Sequence, residues 1–360
     1  MRSSLSGRQA ALMCSVMILS SKLLNLPSLL YTANKTSAIF SAIIIFALEF
    51  VFLFFLLKIK KNNPNKSFFN FFENKFGKFL TKFILIILFL FFIFKIAYVL
   101  QESFYFFKRS LYTTIPISLF LISVLPVVSA FAYRGLKPLG RTLEIFFWLI
   151  FGLLIFCTIA WVISVSDFSL TITNSNGWDG FLNATFNHTF WFADFVFLMF
   201  IVDKVKLEEN SKKQILLYSG FTMLWVLVFF VVYFIAFQTT AFSHPFAILN
   251  IIQFVSDFGT VGKFDILPIT AVMFVMFFQL GILLICASSC IEKVIPFKHK
   301  AQTLIGVNAL LVLLCYIIFN NANSVAVFYG DFLIWLSIIV AYGISALFLF
   351  VGLRTKAGEK

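Results

Sequence analysis

The sequence predicts an all-α integral membrane protein of ten transmembrane helices, and three observations carry that prediction. Of its 360 residues, 61% are hydrophobic and only 12% are charged. A water-facing fold carries about 25% charge, so this chain has too little to coat a soluble surface. Mean hydropathy is +1.00, and the apolar residues fall in runs of about 20, the length a helix needs to cross a bilayer core. Runs such as Phe83–Leu100 and Ile145–Ile163 do not alternate in polarity. That argues against the strands of a membrane barrel and leaves helices, which satisfy their own backbone hydrogen bonds.

The apolar windows lie at about 10–31, 37–57, 80–103, 114–132, 142–165, 184–203, 214–237, 265–291, 301–319 and 331–352. Charge tests this count, because Lys and Arg gather in cytoplasmic loops. With the N-terminus inside, 22 of the 28 Lys and Arg fall on the cytoplasmic side. Lys35, Lys108, Arg109 and Lys263 fall outside, and Lys22 and Lys95 lie within spans. Ten spans with both termini in the cytoplasm follow. The net charge of +13 is thereby placed at a lipid surface, with no nucleic-acid partner expected.

Between the spans little chain is left. The basic, aromatic inner loop 58–78 (KIKKNNPNKSFFNFFENKFGK) is expected to lay its second half on the membrane as an amphipathic segment. An outer loop spans 166–183, and the outer segment opened by His244-Pro245 has helical periodicity. The first run holds Lys22 and then Pro27 where a cleavable signal would need small residues. The 53 Phe residues are read as compositional bias of the genome or as lipid-facing bulk, with no function of their own.

No enzyme is expected, since phosphate-binding glycine loops, zinc histidine pairs and nucleophile elbows are missing from the sequence. No cofactor or metal is expected either. The five cysteines, Cys14, Cys157, Cys286, Cys290 and Cys315, lie scattered in apolar segments and do not form a disulfide framework. Cys286 and Cys290 share a helix face, but no His or acidic partner stands near them on that span.

Charges at bilayer depth are costly and mark function by default. Four stand inside spans: Lys22, Glu49, Lys95 and Asp194. Glu49 and Lys95 are read first as structural ion pairs, and Glu144 as a surface capping residue beside Arg141 at the start of helix five. Lys22 and Asp194 sit at interruptions. Ser20-Ser21-Lys22 with Asn25 and Pro27 weakens helix one, and Asn187-His188-Thr189 through Asp194 weakens helix six. In a ten-helix chain these are corresponding members of two five-helix repeats, about 10–165 and 184–352. Polar breaks at corresponding positions point to a midplane site in an inverted-repeat transporter. Tyr98, at i+3 from Lys95, and Gln101 follow on helix three, and Gln279 lies midway along helix eight.

One family shares this pattern. Ile18-Leu19-Ser20-Ser21-Lys22-Leu23-Leu24-Asn25-Leu26-Pro27 resembles the first-helix motif of the B subunits of endospore germinant receptors (GerAB-type), members of the amino acid–polyamine–organocation (APC) superfamily. In order along the chain, Asn74-Lys75-Phe76-Gly77-Lys78 resembles the family's entry to helix three. Gly135-Leu136-Lys137-Pro138-Leu139-Gly140-Arg141 resembles its loop into helix five. His244-Pro245 resembles the outer segment before helix eight, and Asn321-Ala322-Asn323 with Tyr329 and Asp331 the loop before helix ten.

The chain departs from the family where Ser20 and Lys22 replace glycines, where Phe192-Ala193-Asp194 replaces a Gly shortly before a Glu, and where Gly262-Lys263 replaces an acidic–Arg pair. The resemblance implies a leucine-transporter-like fold of two inverted five-helix repeats, with a site between helices one, three, six and eight. It implies sensing of a small nutrient such as an amino acid at the spore inner membrane, beside a soluble-domain A subunit and a lipoprotein C subunit. In that reading Ser20, Ser21 and their backbone meet the ligand carboxylate, Trp191 is a wall and Asp194 meets the ammonium. Lys22 acts as a built-in cation replacing a coupling ion, salt-bridged to Asp194, and a permanent bridge would withdraw Asp194 from the ligand. Tyr98 and Gln279 complete the ligand set. The alternatives are a proton- or ion-coupled secondary transporter of amino acids or organocations in growing cells, and a membrane scaffold whose pocket has decayed.

Overall fold

The computed structural model describes residues 5–62, 68–111, 114–164, 172–173, 177–201, 204–205, 208–257, 265–295, 299–320 and 332–354. Helix α1 (Gly7–Leu19) is followed by α2 (Leu26–Asn34), α3 (Ala38–Asn62), α4 (Phe68–Ser110), α5 (Ile117–Arg134) and α6 (Leu136–Ser164). Next come α7 (Gly177–Phe186), α8 (Thr189–Phe192), α9 (Leu198–Ile201), α10 (Glu209–Phe237), α11 (Ala247–Asp257), α12 (Ile266–Val294) and α13 (Lys300–Asn320). The last span is α14 (Leu333–Ile338), a π-helical turn at Ile339–Ile344, and α15 (Ser345–Arg354). Eight helical stretches among the described residues are long and apolar enough to cross a membrane. The two remaining apolar windows, 10–31 and 184–203, are the ones the sequence marked as interrupted, and both are broken.

α12 stands at the centre, with 83% of its apolar window buried, while peripheral α13 buries 28%. α4 packs along α12, and α1 packs along α10. The Phe residues divide. Phe79, Phe83 and Phe156 face outward, whereas Phe72, Phe91, Phe92, Phe106, Phe192, Phe197, Phe229 and Phe230 are fully buried. The reading of Phe as lipid-facing bulk is corrected to this extent. Lipid is as apolar as a side chain, so helices associate in a bilayer through close packing, and edge-to-face rings such as Phe46 on Phe192, centroids 5.0 Å apart, supply it.

Contacts gather the start of α1, the end of α3, the start of α10 and the end of α15 on one face. Gly7 meets Ser211, and Gly352 meets Ile59. The Lys212 ammonium lies 4.5 Å from the Phe54 ring centroid. Leu5 bridges to Val205. Ser6 caps α1 reciprocally with Gln9, and Gln9 Nε2 donates to Glu144 Oε2 at 3.1 Å. Glu144 therefore ties α6 to α1 rather than capping its own helix at the surface. A Cβ on Gly7 would stand 2.6 Å from Ser211 Cα, a backbone atom that cannot step aside. Gly7→Ala is therefore expected to pry α1 from α10 and cost about 1–3 kcal/mol, read as a lowered unfolding midpoint in detergent.

Two loop expectations are resolved. Residues 68–76 are helical and end at Gly77, whose φ of 79° only glycine adopts freely. The outer loop 166–183 contains a helix, α7, that the sequence reading did not foresee, while α11 forms where helical periodicity followed His244-Pro245. The stretches Asn321–Asn323, Tyr329, Asp331 and Gly262-Lys263 lie outside the described residues.

Candidate functional site

Helix one stops at Leu19. Ser20 leaves helical geometry at ψ −88°, Ser21–Leu23 form a 3-10 turn, and α2 opens with Pro27 in its first turn. The local causes are ordinary. Proline has no N–H to continue the ladder, and the Ser20 hydroxyl donates back to Met17 O, competing with the helix. Helix six is broken in the same manner. α8 gives way to a 3-10 stretch at Ala193–Phe197 before α9 resumes. There the Asp194 N–H is accepted by Glu49 Oε1 at 3.2 Å, so α3 stabilises the break.

The two breaks face each other. Lys22 Nζ donates to Asp194 Oδ2, and both side chains are fully buried. From α4, Lys95 Nζ donates to Asp194 Oδ1 at 2.8 Å and to Phe190 O at 2.9 Å. Rings close over both ammonium groups: Phe46 and Phe192 at 5.8 and 5.4 Å from Lys22, Phe91 and Phe190 at 5.6 and 5.5 Å from Lys95. Two ammoniums and two carboxylates balance formally. The Lys22–Asp194 bridge is the one the sequence raised; what it did not foresee is that Lys95 shares the same carboxylate while Glu49 caps a backbone N–H. The second Glu49 oxygen makes no hydrogen bond. This residue lines a cavity of about 300 Å³ shared with Thr189, Tyr342 and lipid-facing Leu48.

Each Asp194 oxygen thus already accepts from a lysine, and the two ammoniums beside it repel a third cation in this arrangement. The Ser21 hydroxyl is buried without a hydrogen bond, beside Lys22 in the turn. Gln279 is fully buried on α12, and its amide O and N both lack partners.

Tyr98 and Trp191 meet edge to face with centroids 5.4 Å apart. They line a separate cavity of about 290 Å³ together with Asn25, Gln101, Glu102 and Asn187. Sequence reasoning passed over Glu102, which sits at the edge of the third apolar window. The signal was present: Lys95, Tyr98 and Glu102 are spaced i, i+3, i+7 and share one helix face. Tyr98 OH donates to Glu102 Oε1 at 2.9 Å.

Two unwound spans whose breaks lock together across a third helix define a permease-type, multi-pass membrane protein. The fold is that of a Na⁺-coupled sialic acid symporter solved in a substrate-bound outward-open state, at a TM-score of 0.60 and 14% identity over 95% of this chain and 80% of that one. It is thus leucine-transporter-like. The spore permease family, described as spore germination proteins, matches residues 4–325, and the chain belongs to that family. No curated protein matches the chain.

Proposed function

We propose that the chain is the B-type subunit of a spore germinant receptor, a permease-fold sensor of a small amino-acid-like nutrient in the spore inner membrane. The family match over residues 4–325 carries this reading. In it the chain has ten spans, the eight long helices plus the two broken ones, arranged as two inverted repeats. The face holding the start of α1 and the end of α15 is cytoplasmic, in keeping with the bias of Lys and Arg toward its loops. A and C subunits are its partners. Lys22 stands in place of a coupling ion between the two breaks, a role consistent with its burial against Asp194.

Spores lacking this chain are expected to lose germination in response to at least one nutrient, regain it on complementation, and yield A- and C-type subunits on affinity capture of the complemented chain. Unchanged germination toward every nutrient, together with accumulation of a labelled amino acid in vesicles holding the purified chain, would support the secondary-transporter reading instead.

A further inference from the structure

The Tyr98–Trp191 cavity contains a group that the ion cluster does not use. Glu102 is 2% exposed, deep enough that an unpaired carboxylate is costly. Its Oε1 is held by Tyr98 OH and Asn25 interacts with the carboxyl through its backbone and side-chain amides, yet Oε2 makes no hydrogen bond of good geometry. Among the described residues no lysine or arginine pairs with it. Lys95, two turns away on the same helix, is already committed to Asp194 and Phe190 O. In the same lining, the Trp191 indole N–H is also buried without an acceptor. A buried acceptor and a buried donor, both unsatisfied and both lining one cavity of about 290 Å³, are complementary to a ligand bearing an ammonium and an acceptor oxygen. Tyr98, Phe190 and Trp191 are mutually edge-to-face at 5.4–5.7 Å, and an ammonium beside such ring faces gains further attraction.

Asn25, Leu29, Tyr98 and Tyr105 continue from this cavity into a wider recess of about 770 Å³, whose wall includes Lys108 and Arg109. A ligand entering that way passes two cations before it reaches a carboxylate. The order disfavours a second positive charge and suits a zwitterion, with the ammonium deep and the anionic end outward.

We infer that Glu102 is the acceptor for the ammonium of a zwitterionic amino-acid ligand held between α2, α4, α8 and α14, with Trp191 Nε1–H as a donor to it. This rests on the receptor reading above and moves the ammonium contact from Asp194, which the lysines occupy, to Glu102.

The test uses the purified full chain in detergent and the twenty amino acids as probes, with sugars and nucleosides run beside them, and binding is read by thermal shift and calorimetry. For each amino acid that binds, its des-amino acid and its amide are compared. At least one amino acid is expected to bind. Its des-amino acid should fail, its amide should bind more weakly, and Glu102→Gln should raise Kd about tenfold or more, as loss of a charge-assisted hydrogen bond does. Trp191→Phe, which keeps the ring and removes the donor, gives a second reading should the Gln variant not survive purification, with a smaller rise expected. Binding of the des-amino acid or the amide as tightly as the parent would overturn the assignment. So would a Kd unchanged in Glu102→Gln, or unchanged in Trp191→Phe where that variant must stand in. Absence of any amino-acid binding, with sugars or nucleosides binding in its place, sinks this inference while leaving the receptor reading intact. Lost germination in deletion spores tests that reading separately.

Discussion

Asp194→Asn is expected to be the most damaging single substitution in this chain, costing about 3–5 kcal/mol of stability. The carboxylate is the shared counter-ion of Lys22 and Lys95, and it is fully buried with them. Removing its charge leaves two ammoniums facing each other in a low-dielectric interior with no anion bonded to either. Lys95→Met should cost much less, because Asp194 then keeps Lys22 as its partner and the replacement fills most of the volume. Folded yield in detergent and the unfolding midpoint measure the ordering: wild type highest, Lys95→Met next, Asp194→Asn lowest. An Asp194→Asn protein as stable as wild type would mean that the triad does not hold the two breaks together.

Lys22→Ala should have the second-largest effect, and on function more than on folding. Its ammonium lies where the two unwound segments meet, bonded to Asp194 and covered by Phe46 and Phe192. With the lysine in place, replacing Na⁺ by an inert cation is expected to leave ligand binding unchanged within about twofold, a shift of less than about 0.5 kcal/mol. With alanine in place, the junction loses its fixed charge. Ligand response should fall about tenfold or more, and any residual response should become dependent on added Na⁺. The stability cost is smaller, on the order of 1–3 kcal/mol, because Lys95 still neutralises Asp194. Unchanged protein level and unchanged response in Lys22→Ala would reduce the lysine to a packing residue.

Much of this was legible in the chain. Run length and the distribution of Lys and Arg marked the membrane class and the apolar segments. Ser20-Ser21-Lys22 with Pro27, and the polar run ending in Asp194, marked where two of those segments unwind. Each of these signals is local: a missing N–H, a hydroxyl competing with the backbone, or a charge within an apolar run identifies itself within about one or two helical turns. One pairing was legible: the two interrupted helices offered Lys22 and Asp194 as a bridge, and they form it. The partners of Glu49 and Lys95 were not, because only the packing of α3 and α4 against the break in helix six sends Lys95 to Asp194 and Glu49 to a backbone N–H. Glu102 was overlooked for a related reason. At the rim of an apolar window it reads as a solvated end residue, and burial by Trp191 and Asn25, far away in sequence, makes it otherwise.

The sequence by itself determined that the protein lives in a membrane, where its long apolar helices run, and where two of the apolar segments break, because these follow from hydropathy and from chemistry along one stretch of backbone. Only the tertiary structure decided that Asp194 is shared by two lysines while Glu102 retains an oxygen without a hydrogen bond. Pairing and burial depend on which helices lie side by side, and a single helix carries no record of its neighbours.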